Sequence, residues 1–229
     1  MAEGEFRCRI CYAKAGRLRF LSHLEISHSL DRAVRRAALP YAVTRGFNPH
    51  MKLAFGPALP TGSAGEQEYV DIWFTEFLPP SEIRERLASA LPGELAPIEV
   101  RFVGIREPSL AAECTIALYE VSVVGEGVET KTLQQALDDI VSGGELQVEH
   151  KGKAKVFDLA RSLPKEICVR STESGLIVEM TIRMGPEGSL RPDVLIAQAL
   201  SRIGSAGVVT TVTRRDTLIE SDQGWRRPI

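Results

Sequence analysis

The sequence lacks the segments that would place the chain in or across a membrane. No apolar run among its 229 residues approaches the roughly 20 residues of a membrane-spanning helix. The opening MAEGEFRCRI has no apolar stretch of the kind found in a secretory signal peptide. We therefore expect a cytoplasmic protein with no membrane partner.

Cysteine is also scarce, and its placement argues against a metal site. The four cysteines are dispersed, as is usual for reduced thiols in the cytosol: Cys8, Cys11, Cys114 and Cys168. Cys8 and Cys11 lie three residues apart in a predicted strand, and an odd spacing puts two side chains on opposite faces. They are poorly placed to bind one ion, and no second pair follows. We predict no metal and no cofactor.

Several common catalytic motifs are missing as well. The sequence contains no Walker A loop, no G-x-G-x-x-G that opens a helix after a strand, no G-x-S-x-G elbow and no H-E-x-x-H pair. It also has no C-x₃-C-x₂-C run, so the ligands of a radical SAM iron–sulfur cluster are absent. The chain cannot itself be a radical SAM enzyme.

Charge is present in ordinary amount but is unevenly spread. Residues 1–55 hold ten Lys and Arg against four Asp and Glu, whereas the other 174 residues hold eighteen against twenty-six. A segment of charge +6 therefore accompanies a remainder of charge −8. This distribution favours a single site for an anionic partner, although a solvated basic helix face would give the same pattern.

The order of predicted elements indicates two similar domains. Residues 1–107 give a strand, a helix, two strands, a helix and a closing strand, which is the βαββαβ order of a ferredoxin-like fold. The helix that follows Ser22 has a predicted capping box with Glu25 and ends before Pro40. Residues 110–220 repeat the order with an insertion near 151–165, and residues 221–229 are expected to form a mobile tail. The predicted class is α+β, with two tandem ferredoxin-like (βαββαβ) domains and antiparallel sheets.

Residues 17–62 carry more chemically specific side chains than a core requires. In the predicted fold, the start of the first helix and the loop after the second strand can approach the same region. We predict a ligand-binding site there for phosphate or carboxylate oxygens, made of Arg17, Arg19, Ser22, His23, Arg45, Asn48, His50 and Lys52.

Each of these residues also has a plainer interpretation. Ser22 is a good helix cap, His23 can be a partly buried histidine, and Asn48 with Pro49 can form a simple turn. Phe47 can stack on a base or fill the core.

Two stretches resemble a known family. They are residues 12–25, YAKAGRLRFLSHLE, which we call the first signature, and residues 45–62, RGFNPHMKLAFGPALPTG, the second signature. Both are similar to motifs of the radical-SAM-linked family DUF2344, and residues 184–192 match it more weakly. Members of that family occur fused to a radical SAM enzyme or as its separate neighbour. The resemblance therefore implies an accessory role beside such an enzyme.

Three functions agree with the sequence. The first is a non-catalytic accessory module that binds RNA or another anionic ligand for a separately encoded radical SAM enzyme. The second is a metal-independent endoribonuclease that uses His23 or His50 as general acid–base, although the glycine-rich loop of such nucleases is absent. The third is a protein–protein adaptor without nucleic acid. The sequence leaves the first and third open.

Overall fold

The computed structural model describes residues 4–150, 153–185 and 188–229, without the side chains of residues 149, 150 and 153. Positions 151–152 of the predicted insertion and 186–187 of the weaker family match lie outside the described residues. The chain forms two compact units. The first contains the residues through Cys114 together with Asp216–Ile229, and the second is Thr115–Arg215.

The first unit begins with the predicted alternation of strands and helices. Its elements are β1 (Phe6–Lys14), a 3-10 helix (Gly16–Phe20), α1 (His23–Arg36), β2 (Leu53–Phe55), β3 (Ala64–Phe74), α2 (Pro80–Ala90), a 3-10 helix (Gly93–Leu95), β4 (Pro97–Phe102) and α3 (Leu110–Glu113). The strands run in the order β4–β1–β3, and β2 pairs with the remaining edge of β3. The pairings of β1 with β3, β1 with β4 and β2 with β3 are antiparallel.

One face of this sheet packs against α1 and α2 to form the main core of the unit. Cys8, Ile10 and Tyr12 alternate along β1 and point into this core. Helix α1 contributes an apolar stripe at helical spacing, formed by Ile26, Leu30, Ala33 and Val34. The burial of these side chains fixes α1 against the strands and so fixes the direction of its first turn.

Ser22 begins α1 with the capping box that its sequence predicts. The Ser22 hydroxyl accepts a hydrogen bond from the backbone N–H of Glu25, and the Glu25 carboxylate accepts one from the Ser22 N–H at 2.8 Å. Two backbone donors at the helix start are thereby satisfied.

We expect Ser22→Ala to lower the free energy of unfolding by about 1 kcal/mol, because one donor at the helix start loses its acceptor. Urea unfolding monitored by circular dichroism measures this change. Ser29→Ala is the matched control, since the Ser29 hydroxyl donates to the Glu25 carbonyl and accepts from the exposed Arg32 side chain, but satisfies no backbone donor at the helix start. Equal losses in the two variants would contradict a capping role.

The opposite face of the same sheet carries a buried charge cluster. Arg7 and Arg9 on β1 both contact Asp71 on β3, and all three side chains are at most 3% exposed. Arg9 donates to Asp71 at 2.8 Å and to the carbonyl of Pro228 at 2.8 Å. The Arg7 guanidinium also donates to the carbonyl of Pro108 at 2.8 Å. The cluster therefore ties the chain after β4 and the C-terminal residues to the centre of the sheet.

The C-terminal residues belong to this face and differ from the mobile tail that we expected. Strand β10 (Val208–Ser221) supplies its residues from Asp216 onward to the first unit, where they follow β3 in the sheet, and β11 (Gly224–Arg226) pairs with β10. Asp216 accepts hydrogen bonds from Tyr69 at 2.9 Å and from Arg227 at 2.8 Å. The sequence of the tail is polar, so its pairing could not be recognised from hydrophobic periodicity.

Cys8 and Cys11 lie on opposite faces, as their spacing predicted. Cys8 belongs to the core beneath α1, whereas Cys11 packs with Tyr69 and Leu110 on the other face. Burial raises the pKa of each thiol to about 12, so both are protonated at neutral pH.

The second unit is built around a separate core. Its elements are β5 (Cys114–Val124), α4 (Thr130–Ser142), β6 (Glu145–His150), β7 (Lys153–Asp158), α5 (Leu159–Ser162), β8 (Cys168–Thr172), β9 (Gly175–Arg183), α6 (Pro192–Arg202) and the residues of β10 up to Arg215. The strand order is β10–β5–β9–β8, whereas β6 and β7 form a two-stranded sheet of their own. The predicted insertion near 151–165 falls in the segment that contains β6, β7 and α5.

Helices α4 and α6 cover one face of this sheet through Leu133, Leu137, Leu195 and Ile196. Taken together, the chain is a mixed α+β protein with mostly antiparallel strand pairing. Within the part of the chain that the structure describes, no helix combines the length and apolar character needed to cross a membrane.

Candidate functional site

A small cleft opens in the first unit where β1 and β3 meet the first turn of α1. We call it the His23 cleft. Its enclosed space is about 20 Å³, room for about one water molecule, and its lining residues are Tyr12, Lys14, His23, Ile26, Phe55, Gly56, Pro57, Ala58, Leu59, Glu68 and Tyr69. Both signatures contribute to it, the first through Tyr12, Lys14 and His23 and the second through residues 55–59.

Two oppositely charged side chains are buried at the base of this cleft. Lys14 is 3% exposed and Glu68 is 5% exposed. The irregular pairing between Tyr12 and Lys14 at the end of β1 sets Lys14 opposite Gly65, while Tyr12 pairs with Glu68. Buried charges destabilise a protein unless other groups compensate them, and both residues interact within the protein.

Gly65 provides the space that the Glu68 side chain occupies. A Cβ atom at position 65 would lie 2.5 Å from Glu68 Oε1 and 2.6 Å from its Cγ, which is too close for any real contact. Glycine at this position therefore lets the Glu68 side chain fold back over β3. Any larger residue would displace the carboxylate from its present position.

His23 lies at the rim of the cleft. Its ring meets the Phe55 ring edge to face, with the two ring centroids 4.7 Å apart. Burial and the nearby Lys14 ammonium lower the pKa of His23, and the Glu68 carboxylate opposes this shift only in part. The imidazole is thus neutral at neutral pH and adds no positive charge to the site.

The Ser22 side chain already forms hydrogen bonds with Glu25, its partner in the capping box. Its hydroxyl donates to Glu25 Oε2 at 2.7 Å and accepts from the Glu25 backbone N–H. These hydrogen bonds lower the pKa of Glu25, so its carboxylate is charged. The negative carboxylate already occupies the helix start, where an anionic ligand would otherwise bind.

The arginines of the first signature lie on the 3-10 helix that leads into α1. Arg17 is exposed and Arg19 is partly exposed. The Arg19 guanidinium lies over the Phe20 ring, 4.8 Å from its centroid, and Phe20 is 58% exposed. A large aromatic ring next to a cation is thereby presented to solvent.

The start of the second signature forms an exposed loop. Within residues 44–50, His50 Nδ1 lies 3.2 Å from both the Thr44 hydroxyl and the Asn48 carbonyl. Arg45 and Asn48 are exposed. Phe47 is fully exposed, which excludes the interpretation that it fills the core.

Lys52 follows this loop, and its side chain already has interaction partners within the protein. Its ammonium group pairs with Glu5 and lies 4.9 Å from the centroid of the Trp73 ring. A ligand for Lys52 would have to compete with this carboxylate.

The eight predicted residues therefore do not form one pocket. Only His23 of the eight lines the His23 cleft; the others are not among its lining residues, namely Arg17, Arg19, Ser22, Arg45, Asn48, His50 and Lys52. The antiparallel pairing sets Phe55 opposite Val70 and Leu53 opposite Ile72, so the chain from 55 back to 50 runs along β3 away from His23. Five residues of extended chain span roughly 16 Å. The structure thus separates the cleft from the loop of residues 44–50.

The sequence interpretation missed Lys14, Glu68 and the exposed Phe20. Lys14 belongs to the first signature, so its position in that motif was an available signal. Glu68 lies in a strand whose alternation gave no sign that a carboxylate is buried.

The described part of the chain, which omits residues 1–3, 151–152 and 186–187, brings together no group of three or more His, Cys, Asp or Glu side chains able to hold a metal ion.

Comparison with known proteins gives a fold and a family. No curated protein matches the chain. A chain in the crystal structure of a Cbf5–Nop10–Gar1 complex is similar, with a TM-score of 0.51 and 12% sequence identity. The similarity covers 92% of this chain and 48% of that one, so this chain spans about half of its length. At this identity the likeness shows the fold alone. The family model described as "uncharacterized protein conserved in bacteria (DUF2344)" matches residues 7–192, which is most of the chain, and the protein therefore belongs to the DUF2344 family.

Proposed function

We propose that the protein is a non-catalytic accessory module that binds single-stranded RNA for a separately encoded radical SAM enzyme in the cytoplasm. One observation carries this proposal. The first unit presents two phenylalanines, Phe20 and Phe47, each exposed to solvent and each close in sequence to an arginine, Arg19 and Arg45. Aromatic rings beside cations bind unpaired bases by stacking, without strong sequence preference.

The exposed arginines supply the contacts to phosphate. Arg17 and Arg45 are exposed, and Arg19, which is partly exposed, lies beside the Phe20 ring on which a base would stack. The other cations of residues 1–55 contribute less than the charge count suggested. Arg7 and Arg9 are buried with Asp71, and Lys52 is paired with Glu5. We therefore expect about three phosphate contacts, and binding that depends as much on stacking as on charge.

Each unit has a ferredoxin-like fold in this proposal. The strand orders β4–β1–β3–β2 in the first unit and β10–β5–β9–β8 in the second support it, since each places the first and third strands at the centre. The radical SAM partner is proposed because both signatures resemble those of the radical-SAM-linked family.

Filter binding of a fluorescent single-stranded RNA tests the proposal. With about three phosphate contacts, the affinity should fall roughly 20-fold between 50 and 200 mM salt, because few counterions are released. A duplex of the same sequence should bind more weakly, since its bases cannot stack on the protein. If no RNA is retained at 50 mM salt, the RNA proposal is wrong. Capture of the partner enzyme after nuclease treatment would then support an adaptor.

The same experiment also tests catalysis. His23 is neutral and lies in a cleft with Lys14 and Glu68, which is the protonation state that a general base requires. The recovered RNA is therefore run on a denaturing gel. Intact RNA agrees with a binding module, whereas cleavage that disappears in His23→Ala would support a metal-independent endoribonuclease.

A further inference from the structure

We propose that Phe20 and Phe47 bind one RNA strand at the same time, and that the strand lies along the exposed side of α1 between them. This inference rests on the proposed function, because it states how long a strand the module takes and where that strand runs. A short oligonucleotide reaches one ring only, whereas a longer one bridges both rings and gains from the second contact.

The first ring lies near the beginning of β3. Phe20 ends the 3-10 helix that leads into α1. The carbonyl of its neighbour Arg19 accepts a hydrogen bond from the backbone N–H of Gly62 at 2.9 Å, and β3 begins two residues later. This hydrogen bond fixes the backbone beside Phe20 at the start of the strand. The ring itself is 58% exposed, so a base can stack on it.

The second ring lies near the opposite end of β3. Tyr41 forms an isolated antiparallel bridge with Phe74, the last residue of β3. A second bridge, between Val43 and Met51, closes the base of the loop that carries Phe47. The loop is thus attached where β3 ends, and the ring of Phe47 is fully exposed.

The distance between these two ends sets the length of RNA that can bridge the rings. Strand β3 has 11 residues, which cover roughly 35 Å. Helix α1 connects the same two regions with 14 residues, which cover about 21 Å. We therefore expect the rings to be roughly 20–35 Å apart. At about 3.4 Å per stacked nucleotide, this distance corresponds to roughly six to ten nucleotide steps.

The exposed side of α1 leads from one end to the other. Leu24, His28, Arg32 and Arg35 recur every three or four residues, so they form one stripe along the helix, and all four are exposed. The guanidinium of Arg35, in the last turn, lies 4.7 Å from the centroid of the Tyr41 ring. This contact places the far end of the stripe beside the chain that enters the second loop.

The charges of this stripe suit a strand that passes over it. Arg35 forms an ion pair with Asp31, so together they add no net charge. Among the described residues, Arg32 interacts only with the Ser29 hydroxyl, to which it donates a hydrogen bond at 3.3 Å. The stripe is therefore weakly positive, and the phosphates of a crossing strand can approach it without repulsion.

Anisotropy titrations of the whole protein with fluorescent triuridine and dodecauridine test this inference. A triuridine covers about 10 Å and contacts one ring at a time. Two separate sites add their association constants, so Phe20→Ala and Phe47→Ala cannot both weaken triuridine binding by more than about two-fold. A dodecauridine covers about 40 Å and bridges the rings, so both variants should weaken its binding by about ten-fold.

The comparison is made within each oligonucleotide. The longer strand offers more positions to any single site, but this advantage is the same for the protein and for its variants. Phe20 and Phe47 are exposed, so their truncation should leave the fold intact, and circular dichroism checks that it does.

Arg32→Glu tests the path along α1. The substitution puts a negative charge beneath the strand and should weaken dodecauridine binding by about three- to five-fold at low salt. Arg84→Glu is the matched control, because Arg84 is also exposed but lies on α2, and the net charge changes by the same amount. Equal losses in these two variants would contradict a path along α1.

The outcomes also separate this inference from the proposed function. Dodecauridine binding that only one of the two phenylalanine variants weakens would overturn the bridging strand and leave the RNA-binding module in place. Triuridine binding that both variants weaken by much more than two-fold would place the rings in one small site, which also overturns the bridge. If neither oligonucleotide binds at 50 mM salt, the proposed function fails and the bridging strand fails with it.

Discussion

Replacing Asp71 with Asn is expected to lower the free energy of unfolding by about 3–5 kcal/mol. The carboxylate of Asp71 is fully buried and is shared by two buried guanidinium groups, those of Arg7 and Arg9. The substitution leaves Arg7 without its carboxylate partner and leaves Arg9 only the Glu107 carboxylate, 4.0 Å away. Loss of one partner of a buried ion pair is costly because the remaining charge cannot recover its hydration.

The cluster of Arg7, Arg9 and Asp71 also holds two distant segments of the chain, which increases the expected loss of stability. Arg9 holds the carbonyl of Pro228, and Arg7 holds the carbonyl of Pro108. Both hydrogen bonds depend on guanidinium groups that Asp71 orients from the neighbouring strand. We therefore expect the variant to expose the segment after β4 and the C-terminal residues before the sheet unfolds. Faster amide hydrogen exchange in β11 would report this local opening.

Denaturant unfolding measures the loss of stability, and Asp31→Asn is the matched control. Asp31 forms an ion pair with Arg35 on α1, where the arginine side chain is 49% exposed. Such exposed pairs contribute at most about 1 kcal/mol, since water replaces the lost partner. If Asp71→Asn costs no more than Asp31→Asn, the buried cluster is not a major source of stability.

Truncation of the two exposed phenylalanines should have the largest effect on RNA binding. Phe20→Ala and Phe47→Ala are each expected to weaken binding of single-stranded RNA by about ten-fold, because each removes one stacked base. The double variant should lose about 100-fold, since distant sites contribute independently. Dissociation constants from fluorescence anisotropy at constant salt give these ratios.

Phe77→Ala is the matched control for this series. Phe77 is 60% exposed, like Phe20, but its ring packs against Phe6 and Phe102 rather than beside an arginine. Its truncation should leave the RNA affinity unchanged. If it weakens binding as much as the other two, the effect is a general response to lost surface area. The stacking model would then be wrong.

The elements of the first unit were predictable because local interactions specify them. Ser22 and Glu25 form the predicted capping box, and the apolar spacing of α1 identified its buried face. The alternation of β1 likewise put Cys8 and Cys11 on different faces. Each of these features depends on residues within a few positions of one another, so periodicity and capping rules suffice.

The site predicted from the sequence agrees only in part with the cleft that the structure shows. The first signature does line a cleft with part of the second, since His23 contacts Phe55. The loop that contains His50 lies elsewhere, because the pairing of β2 with β3 sets its direction. A charge count also could not reveal that Arg7 and Arg9 are buried in ion pairs with Asp71, a residue more than sixty positions away.

The sequence by itself determined most of the succession of helices and strands before the C-terminal residues, the start of α1 and the two signatures that mark the family. The tertiary structure alone decided which charges are buried, that Phe20 and Phe47 face solvent, and that Lys14 and Glu68 line the same cleft. The reason is physical. Secondary structure follows from contacts between near neighbours, whereas burial and charge pairing depend on strand register and on segments that are distant along the chain.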